Sequence, residues 1–389
     1  MILTKQNSKP KKRPPQQSDY LYHPYELSVC GYSNSGKTTL LEKVIKRLSS
    51  TYDIAFLKHD VHKFEMDKKG KDTQRMWGSG AKWVSISDKT HNGTLSQGQM
   101  PIYEHKSKFL DADFALLEGY KNLNSDKVVV IDSENKILRD VETGHVNNVI
   151  CFVGQDKAQP VLPLSEVPYF HRDQVTEVSK FIENYFVKKA ALAPLYGLVL
   201  TGGRSQRMKK DKALLNYNGQ AQALEVYNLL SEFCGNTFIS ARKDQWNDTK
   251  FNDYPQITDR FLNMGPAGGI LSAQWEHPKA SFLVVACDLP FLEINTINNL
   301  LSNRNPFKLA TCYLSQHFKG MPEPLCSVYE PKSFHRIMNF MGLGYTCPRK
   351  ALINSPVKSL ELLESNALEN VNYPAEFEQA VERLSHLTI

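Results

Sequence analysis

No run in this sequence approaches the roughly 18 consecutive apolar residues that a membrane-spanning helix needs, and the N-terminus carries no apolar stretch of the signal-peptide kind. The chain is therefore expected to be soluble and cytoplasmic, with no membrane partner. Cysteine is sparse and poorly spaced for structural chemistry. Cys30, Cys151, Cys234, Cys287, Cys312, Cys326 and Cys347 include no Cys-x-x-Cys pair. An odd count without an export signal argues against a disulfide scaffold and against structural zinc, so these are read as buried, reduced thiols. Excess charge is small too, at +6. Part of it is local, because Lys5, Lys9, Lys11, Lys12 and Arg13 precede the first acidic residue, Asp19, in a Pro/Gln/Ser-rich stretch. With nothing apolar to bury and no aromatic interleaving, residues 1–20 read as a disordered basic tail, and no nucleic-acid partner is expected.

What is present is enough for two domains. A chain of 389 residues exceeds one ordinary domain, and 41% hydrophobic residues suffice for a core in each. After the tail, Tyr25 to Cys30 reads as a short strand leading into Gly31-Tyr-Ser-Asn-Ser-Gly36-Lys37-Thr38-Thr39 and then an amphipathic run, Leu40 to Leu48. This is the phosphate-loop pattern in its required strand–loop–helix context. Loop N–H groups and the helix N-terminus would hold a β-phosphate, Lys37 would reach the β/γ oxygens, and the Thr38 hydroxyl would ligate Mg²⁺. Further strands are expected at Ile54–Leu57, Trp83–Ser87, Phe114–Leu117, Asp126–Ile131 and Val149–Val153. Glu118, directly after the run Phe114–Leu117, either orients Mg²⁺ or its water or is a surface carboxylate. His59, Asp60, His62 and Asp67 follow a strand end without helical spacing, and a polar loop suits them better than a metal site.

The second half is organised around Leu198 to Leu215. An apolar strand, Gly197 to Leu200, meets the glycine pair Gly202 and Gly203, and Arg204, Arg207 and Lys212 bring positive charge to the same loop. Glycines let backbone N–H groups approach an anion, so this reads as a second phosphate cradle, with an amphipathic segment beginning near Lys212. An ordinary strand-to-helix turn is the plainer alternative. Downstream, Thr237–Ser240 is a strand, and Ile257-Thr-Asp259 leads to Gly265-Pro-Ala-Gly-Gly-Ile270. Asp259 there suits either guanine or ribose recognition or the capping of a turn. The strand Ser281 to Cys287 ends at Asp288, where an open α/β sheet places a metal ligand, a structural cap being the plainer alternative. Between the halves, residues 187–194 end in Pro194 and place the boundary between domains 21–190 and 195–389.

Two resemblances sharpen this. The phosphate loop, the Lys-His-Asp-x-His-x-Phe series from Lys58, Gly70-Lys-Asp-Thr73 and Glu118-Gly-Tyr-Lys121 resemble the MobB proteins over about residues 27–186. The loop at 198–215 resembles the signature of the MobA guanylyltransferases, which join GMP to molybdopterin, with Thr201 in place of the usual Ala and Lys209 in place of the usual Gly. Gly265–Ile270, Pro322–Tyr329 and Asn370-Val-Asn372-Tyr-Pro374 extend that likeness to about residue 380. The fold class implied is α/β, two doubly wound domains: a P-loop NTPase-like domain, then a Rossmann-like nucleotidyltransferase domain.

The resemblance implies that Arg207, Lys212 and Asp288 are catalytic, and that Leu200, Thr201, Gly202, Gly203, Lys212, Asp259 and Asp288 bind GTP as substrate. In the first domain Gly31, Gly36, Lys37, Thr38, Thr39 and Glu118 would bind GTP as an adaptor ligand, with weak hydrolysis at best. Mg²⁺ would sit on Asp288 and on Thr38. Implied partners are molybdopterin or Mo-molybdopterin, molybdoenzyme apoproteins or their chaperones, and a second copy through the first domain. Two alternatives stay open: a cytidylyl- or sugar-nucleotidyltransferase of the same fold, and a protein that chiefly delivers cofactor as a GTP-binding adaptor.

Overall fold

The computed structural model describes residues 21–59, 70–97, 102–156, 160–201, 211–217, 219–247, 249–316 and 318–387. It divides into two compact units, Met1–Leu41 with Phe56–Lys106 and Ala115–Asp173, and Glu42–Ala55 with Ser107–Phe114 and Gln174–Ile389. The basic tail lies outside the described residues.

Eight strands come first in the chain: β1 (Glu26–Cys30), β2 (Ile54–Lys58), β3 (Trp83–Ser87), β4 (Asn92–Ser96), β5 (Phe114–Glu118), β6 (Lys127–Val130), β7 (Val149–Gly154) and β8 (Tyr169–His171). Six of them form one sheet in the order β2-β5-β1-β6-β7-β8. β1 pairs in parallel with β5 and β6, and β7 in parallel with β6 and β8. A parallel strand covered on both faces is apolar throughout rather than alternating, and Leu27, Val29, Leu116, Leu117, Val128 and Val129 are all buried. The helix Lys37–Leu48 follows the loop after β1 and buries Leu40, Leu41, Val44 and Leu48, one stripe at helical spacing.

β3 departs from the expectation that it joins this sheet. Among the described residues it pairs only with β4, antiparallel, in a separate two-stranded hairpin. Its sequence explains why: Trp-Val-Ser-Ile-Ser lacks the continuous apolar run of a doubly covered strand, and all but one of its residues are exposed.

The later strands are β9 (Leu195–Leu200), β10 (Asn236–Ala241), β11 (Gln256–Thr258), β12 (Ser281–Ala286), β13 (Ala310–Ser315), β14 (Met321–Tyr329) and β15 (Lys358–Leu360). Their sheet runs β11-β10-β9-β12-β14-β13-β15. β11, β10, β9 and β12 are mutually parallel, so their carboxyl ends share one edge, whereas β14 is antiparallel to both β12 and β13. The whole is α/β, with open sheets in both units. Leu198, Val199, Leu283, Val284 and Val285 are each fully buried at its centre.

Three details correct the sequence reading. The segment beginning near Lys212 is a three-residue 3₁₀ turn, Lys212–Leu214, and the α-helix starts only at Gln222. Asp211 explains the early turn, since its Oδ1 accepts from the Ala213 N–H at 3.2 Å and caps it. The helix Val175–Ala191 runs through most of the expected linker, leaving residues 192–194 before β9. Of the seven thiols, five are buried, Cys234 is half-buried and Cys347 is exposed. Among the described residues no helix is long and apolar enough to cross a membrane.

Candidate functional site

The carboxyl edge of β11-β10-β9-β12 gathers most of the described polar residues singled out in the second half. β9 ends at Leu200, and the buried Thr201 follows it. Its hydroxyl donates to the Ser240 carbonyl at 2.5 Å and accepts from the Trp246 indole N–H at 3.3 Å. That is what the hydroxyl adds over an alanine: it ties the end of β9 to β10. Gly202, Gly203, Arg204 and Arg207 lie outside the described residues.

Lys212 is brought to Asp288, at the end of β12. Its Nζ lies 2.9 Å from Asp288 Oδ2 and 2.6 Å from Asn372 Oδ1. Both members of the ion pair keep about a fifth of their side-chain surface open, at 19% and 20%, so the pair is neither sealed off nor freely solvated. The segment Asn370–Asn372 is fixed beside them, because the Val371 N–H donates to the Asp288 carbonyl at 3.1 Å. Asn372 is itself held by its own N–H to Glu376 Oε2 at 2.6 Å. The sequence resemblance located this segment but not its contact with Lys212.

Asp259 sits at the end of β11, two strands from β9. Its Oδ1 accepts from the Ser240 hydroxyl at 2.9 Å. Burial pushes its carboxyl above the ordinary range, opposed by that hydrogen bond and by the positive charge of Arg242. Ser240 therefore does belong with the candidate site, through its link to Asp259. Beneath them packs Gly269, where a Cβ would fall 2.5 Å from Ser240 Oγ and 2.8 Å from Leu200 Cδ2. Three strand spacings separate Asp259 from Asp288, roughly 14 Å, about the reach of an extended nucleoside triphosphate.

In the first unit the loop after β1 carries the second constellation. Lys37 Nζ donates to the Tyr32 carbonyl at 2.6 Å, folded back over its own loop. Burial lowers its pKa, with Glu118 opposing. The Thr38 hydroxyl donates to Glu118 Oε1 at 2.9 Å, while Lys58 lies 3.6 Å from the same oxygen. Glu118 Oε2 is buried with no hydrogen-bond partner among the described residues. An orphaned carboxylate oxygen beside a threonine hydroxyl suits a hard dication. Thr39 is exposed on the first helical turn. Sequence reasoning missed Arg172, just past β8, whose Nη1 lies 3.9 Å from where a Cβ on Gly36 would be. His59 leaves its strand with its N–H bonded to the Glu118 carbonyl at 3.0 Å. Asp60, His62 and Asp67 lie outside the described residues.

No group of three or more His, Cys, Asp or Glu side chains converges among the described residues. Mg²⁺ characteristically takes one or two carboxylates and completes its shell with phosphates and water, so Asp288 in one unit and Thr38 with Glu118 in the other are sufficient protein ligands for it.

Comparison with known proteins follows this division. The family described as "Molybdopterin guanine dinucleotide synthesis protein B" (MobB) matches residues 26–154, and the "MobA-like NTP transferase domain" matches residues 197–354. The "Molybdenum cofactor biosynthesis bifunctional protein" of Synechocystis sp. is 37% identical over 186 residues, 48% of this chain and 53% of that protein. The chain thus spans about half the length of that relative. The "Molybdopterin-guanine dinucleotide biosynthesis adapter protein" of Haemophilus influenzae is 28% identical over 41% of this chain and 88% of its own length. The "Molybdenum cofactor guanylyltransferase" of Pseudomonas putida is 27% identical over 47% of this chain and 96% of its own. The chain carries a MobB domain at residues 26–154 and a MobA-like NTP transferase domain at residues 197–354.

Proposed function

We propose that the chain is a cytoplasmic protein of molybdenum cofactor biosynthesis whose domains, 21–190 and 195–389, divide two tasks. The second transfers GMP from GTP to molybdopterin or Mo-molybdopterin, giving molybdopterin guanine dinucleotide and pyrophosphate. The first binds GTP as an adaptor for delivery to apoenzymes or their chaperones, and is where a second copy would pair. The observation that carries the catalytic reading is Lys212 held between Asp288 and Asn372 at the carboxyl edge of a MobA-like domain.

In this reaction a phosphate oxygen of molybdopterin forms a bond to the α-phosphorus of GTP, and the bond from that phosphorus to the β-bridging oxygen breaks. The nucleophile is already an anion, so no general base is required, and the site must supply positioning and charge neutralisation. Lys212, fixed by its two partners, holds positive charge where the pyrophosphate develops negative charge. Asp259 addresses the guanosine end, and backbone N–H groups from Leu200 to Gly203, with Arg207, address the phosphates. Mg²⁺ bound at Asp288 would lower the repulsion between phosphate oxygens. In the first domain, Gly31, Gly36, Lys37, Thr38, Thr39 and Glu118 would hold a separate GTP with its Mg²⁺.

Two variants separate the tasks. Asp288→Ala is expected to lower guanylyl transfer about a hundredfold or more while phosphate-loop binding persists. Lys37→Ala is expected to do the reverse. Loss of transfer in Lys37→Ala, with Asp288→Ala near normal, would overturn the assignment. The same-fold alternatives, cytidylyl or sugar nucleotidyl transfer, are separated by comparing donors.

A further inference from the structure

We infer that Arg172 is a phosphate ligand of the first unit, its guanidinium clasping the α,β-diphosphate of a nucleotide held in the loop Gly31–Thr39. The inference rests on the reading that this loop binds GTP, and it adds a cation from outside the loop.

The glycine that closes the loop sets the geometry. Gly36 has φ +93° and stands directly before the helix Lys37–Leu48. A glycine in that left-handed conformation lets an anion come close to the backbone N–H groups at a helix N-terminus. Outside its two chain neighbours, one heavy atom among the described residues comes within 4 Å of where a Cβ on Gly36 would be: Arg172 Nη1, at 3.9 Å. A guanidinium nitrogen thus faces an otherwise uncrowded side of the loop.

The cations around the loop differ in how far they are committed. Lys37 Nζ donates to the Tyr32 carbonyl at 2.6 Å. Lys121 Nζ pairs with Asp140 Oδ2 at 3.0 Å and lies 3.5 Å from the centre of the Tyr32 ring, while Lys58 is 3.6 Å from Glu118 Oε1. The Arg172 guanidinium makes no hydrogen bond or ion pair among the described residues. Its root is nonetheless anchored. The Arg172 N–H donates to the Gly154 carbonyl at 2.9 Å, which continues the pairing of β8 with β7. The neighbouring His171 Nε2 is hydrogen-bonded to the Gln155 carbonyl at 2.8 Å.

A fixed backbone therefore carries an uncommitted guanidinium to an anion-binding loop. Its planar fork of N–H donors matches two phosphate oxygens at once, which a lysine cannot do. The position selects the phosphates: Lys37 would reach the β and γ oxygens, and a cation in front of the preceding residue, Gly36, meets the α,β side of the chain.

The test is equilibrium binding of GTP and GDP to the full chain and to Arg172→Ala, Arg172→Lys and Lys37→Ala, with thermal unfolding of each in the absence of nucleotide. Binding at this site is taken as the component that Lys37→Ala removes. Arg172→Ala should weaken GTP and GDP alike by about tenfold or more, through loss of a charge-assisted contact. Its nucleotide-free Tm should stay at the wild-type value, because the guanidinium has no contact of this kind within the protein to lose. Arg172→Lys keeps the charge without the fork and should fall between the two. Unchanged affinity in Arg172→Ala, with binding still dependent on Lys37, would overturn the Arg172 assignment alone. A loss confined to GTP would overturn the diphosphate placement in favour of the γ-phosphate. A loss matched by a fall in nucleotide-free Tm, and not relieved in Arg172→Lys, would overturn it in favour of a structural role. Binding indifferent to Lys37→Ala would overturn the phosphate-loop reading and this inference with it.

Discussion

Lys212 Nζ stands 2.9 Å from Asp288 Oδ2 and 2.6 Å from Asn372 Oδ1, a junction of three residues drawn from a 3₁₀ turn, a strand end and the chain's C-terminal region. Removing the ammonium would leave the Asp288 carboxylate without this partner in a half-buried place. Lys212→Ala is therefore expected to cost roughly a hundredfold in guanylyl transfer, mostly in kcat. Asn372→Ala removes one hydrogen bond to a charged group, about 1.5–3 kcal/mol, and should cost roughly tenfold or somewhat more. Steady-state kinetics of both variants checks this, and equal activity of Lys212→Ala and wild type would contradict it.

Gly269 packs against Ser240, the hydroxyl partner of Asp259. A methyl group there meets Ser240 Oγ at 2.5 Å and Leu200 Cδ2 at 2.8 Å, so Gly269→Ala must displace the hydroxyl that holds Asp259 or shift the end of β9. Overpacking of this kind costs about 1–3 kcal/mol. The expected outcome is a lowered Tm together with a raised KM for GTP in transfer, read by thermal unfolding and initial rates.

Asp259 also makes a pH prediction. Burial holds its carboxyl above the ordinary value of 3.8. Because the folded value exceeds the unfolded one, the associated stability is complete below the unfolded value and is lost as pH rises through the folded value. At neutral pH the buried charge is thus a cost, of the sort binding sites carry. Asp259→Asn keeps an acceptor for Ser240 and is expected to raise Tm at about pH 7, with the gain shrinking toward about pH 4. A difference in Tm that is flat across this range would count against the reading.

Stability of the second unit depends on a buried ion pair away from the site. Glu330, fully buried, accepts from Arg304 Nε at 2.7 Å and Nη2 at 2.9 Å, and from the Ser281 hydroxyl at 2.6 Å. Glu330→Ala leaves a guanidinium without its carboxylate and is expected to cost about 3–5 kcal/mol in denaturant unfolding.

The central strands were legible because burial on both faces writes itself as an apolar run: β1, β5, β6, β7, β9 and β12 were each found within a residue or two of their ends. Short edge strands such as β8 and β11 leave no comparable trace, and the alternating Trp83–Ser87 went to a hairpin instead. The phosphate loop was legible for a different reason, since its spacing encodes the geometry of the ligand it cradles. Long-range pairings were not. Lys212 and Asn372 meet across 160 positions, and nothing in either neighbourhood predicts the partner. Ser240 reads from sequence as no more than the end of a strand; its contact with Asp259 gives it a role that only the fold reveals. Cys347 is exposed where the scattered cysteines suggested burial.

The most direct test of the account is pyrophosphate release by the purified full-length chain with Mg²⁺ and molybdopterin, with GTP and CTP offered separately as donors. The account predicts release with GTP, dependent on molybdopterin, and molybdopterin guanine dinucleotide as the product. Release with CTP in preference to GTP, or no release with either while GTP binding remains intact, would contradict it.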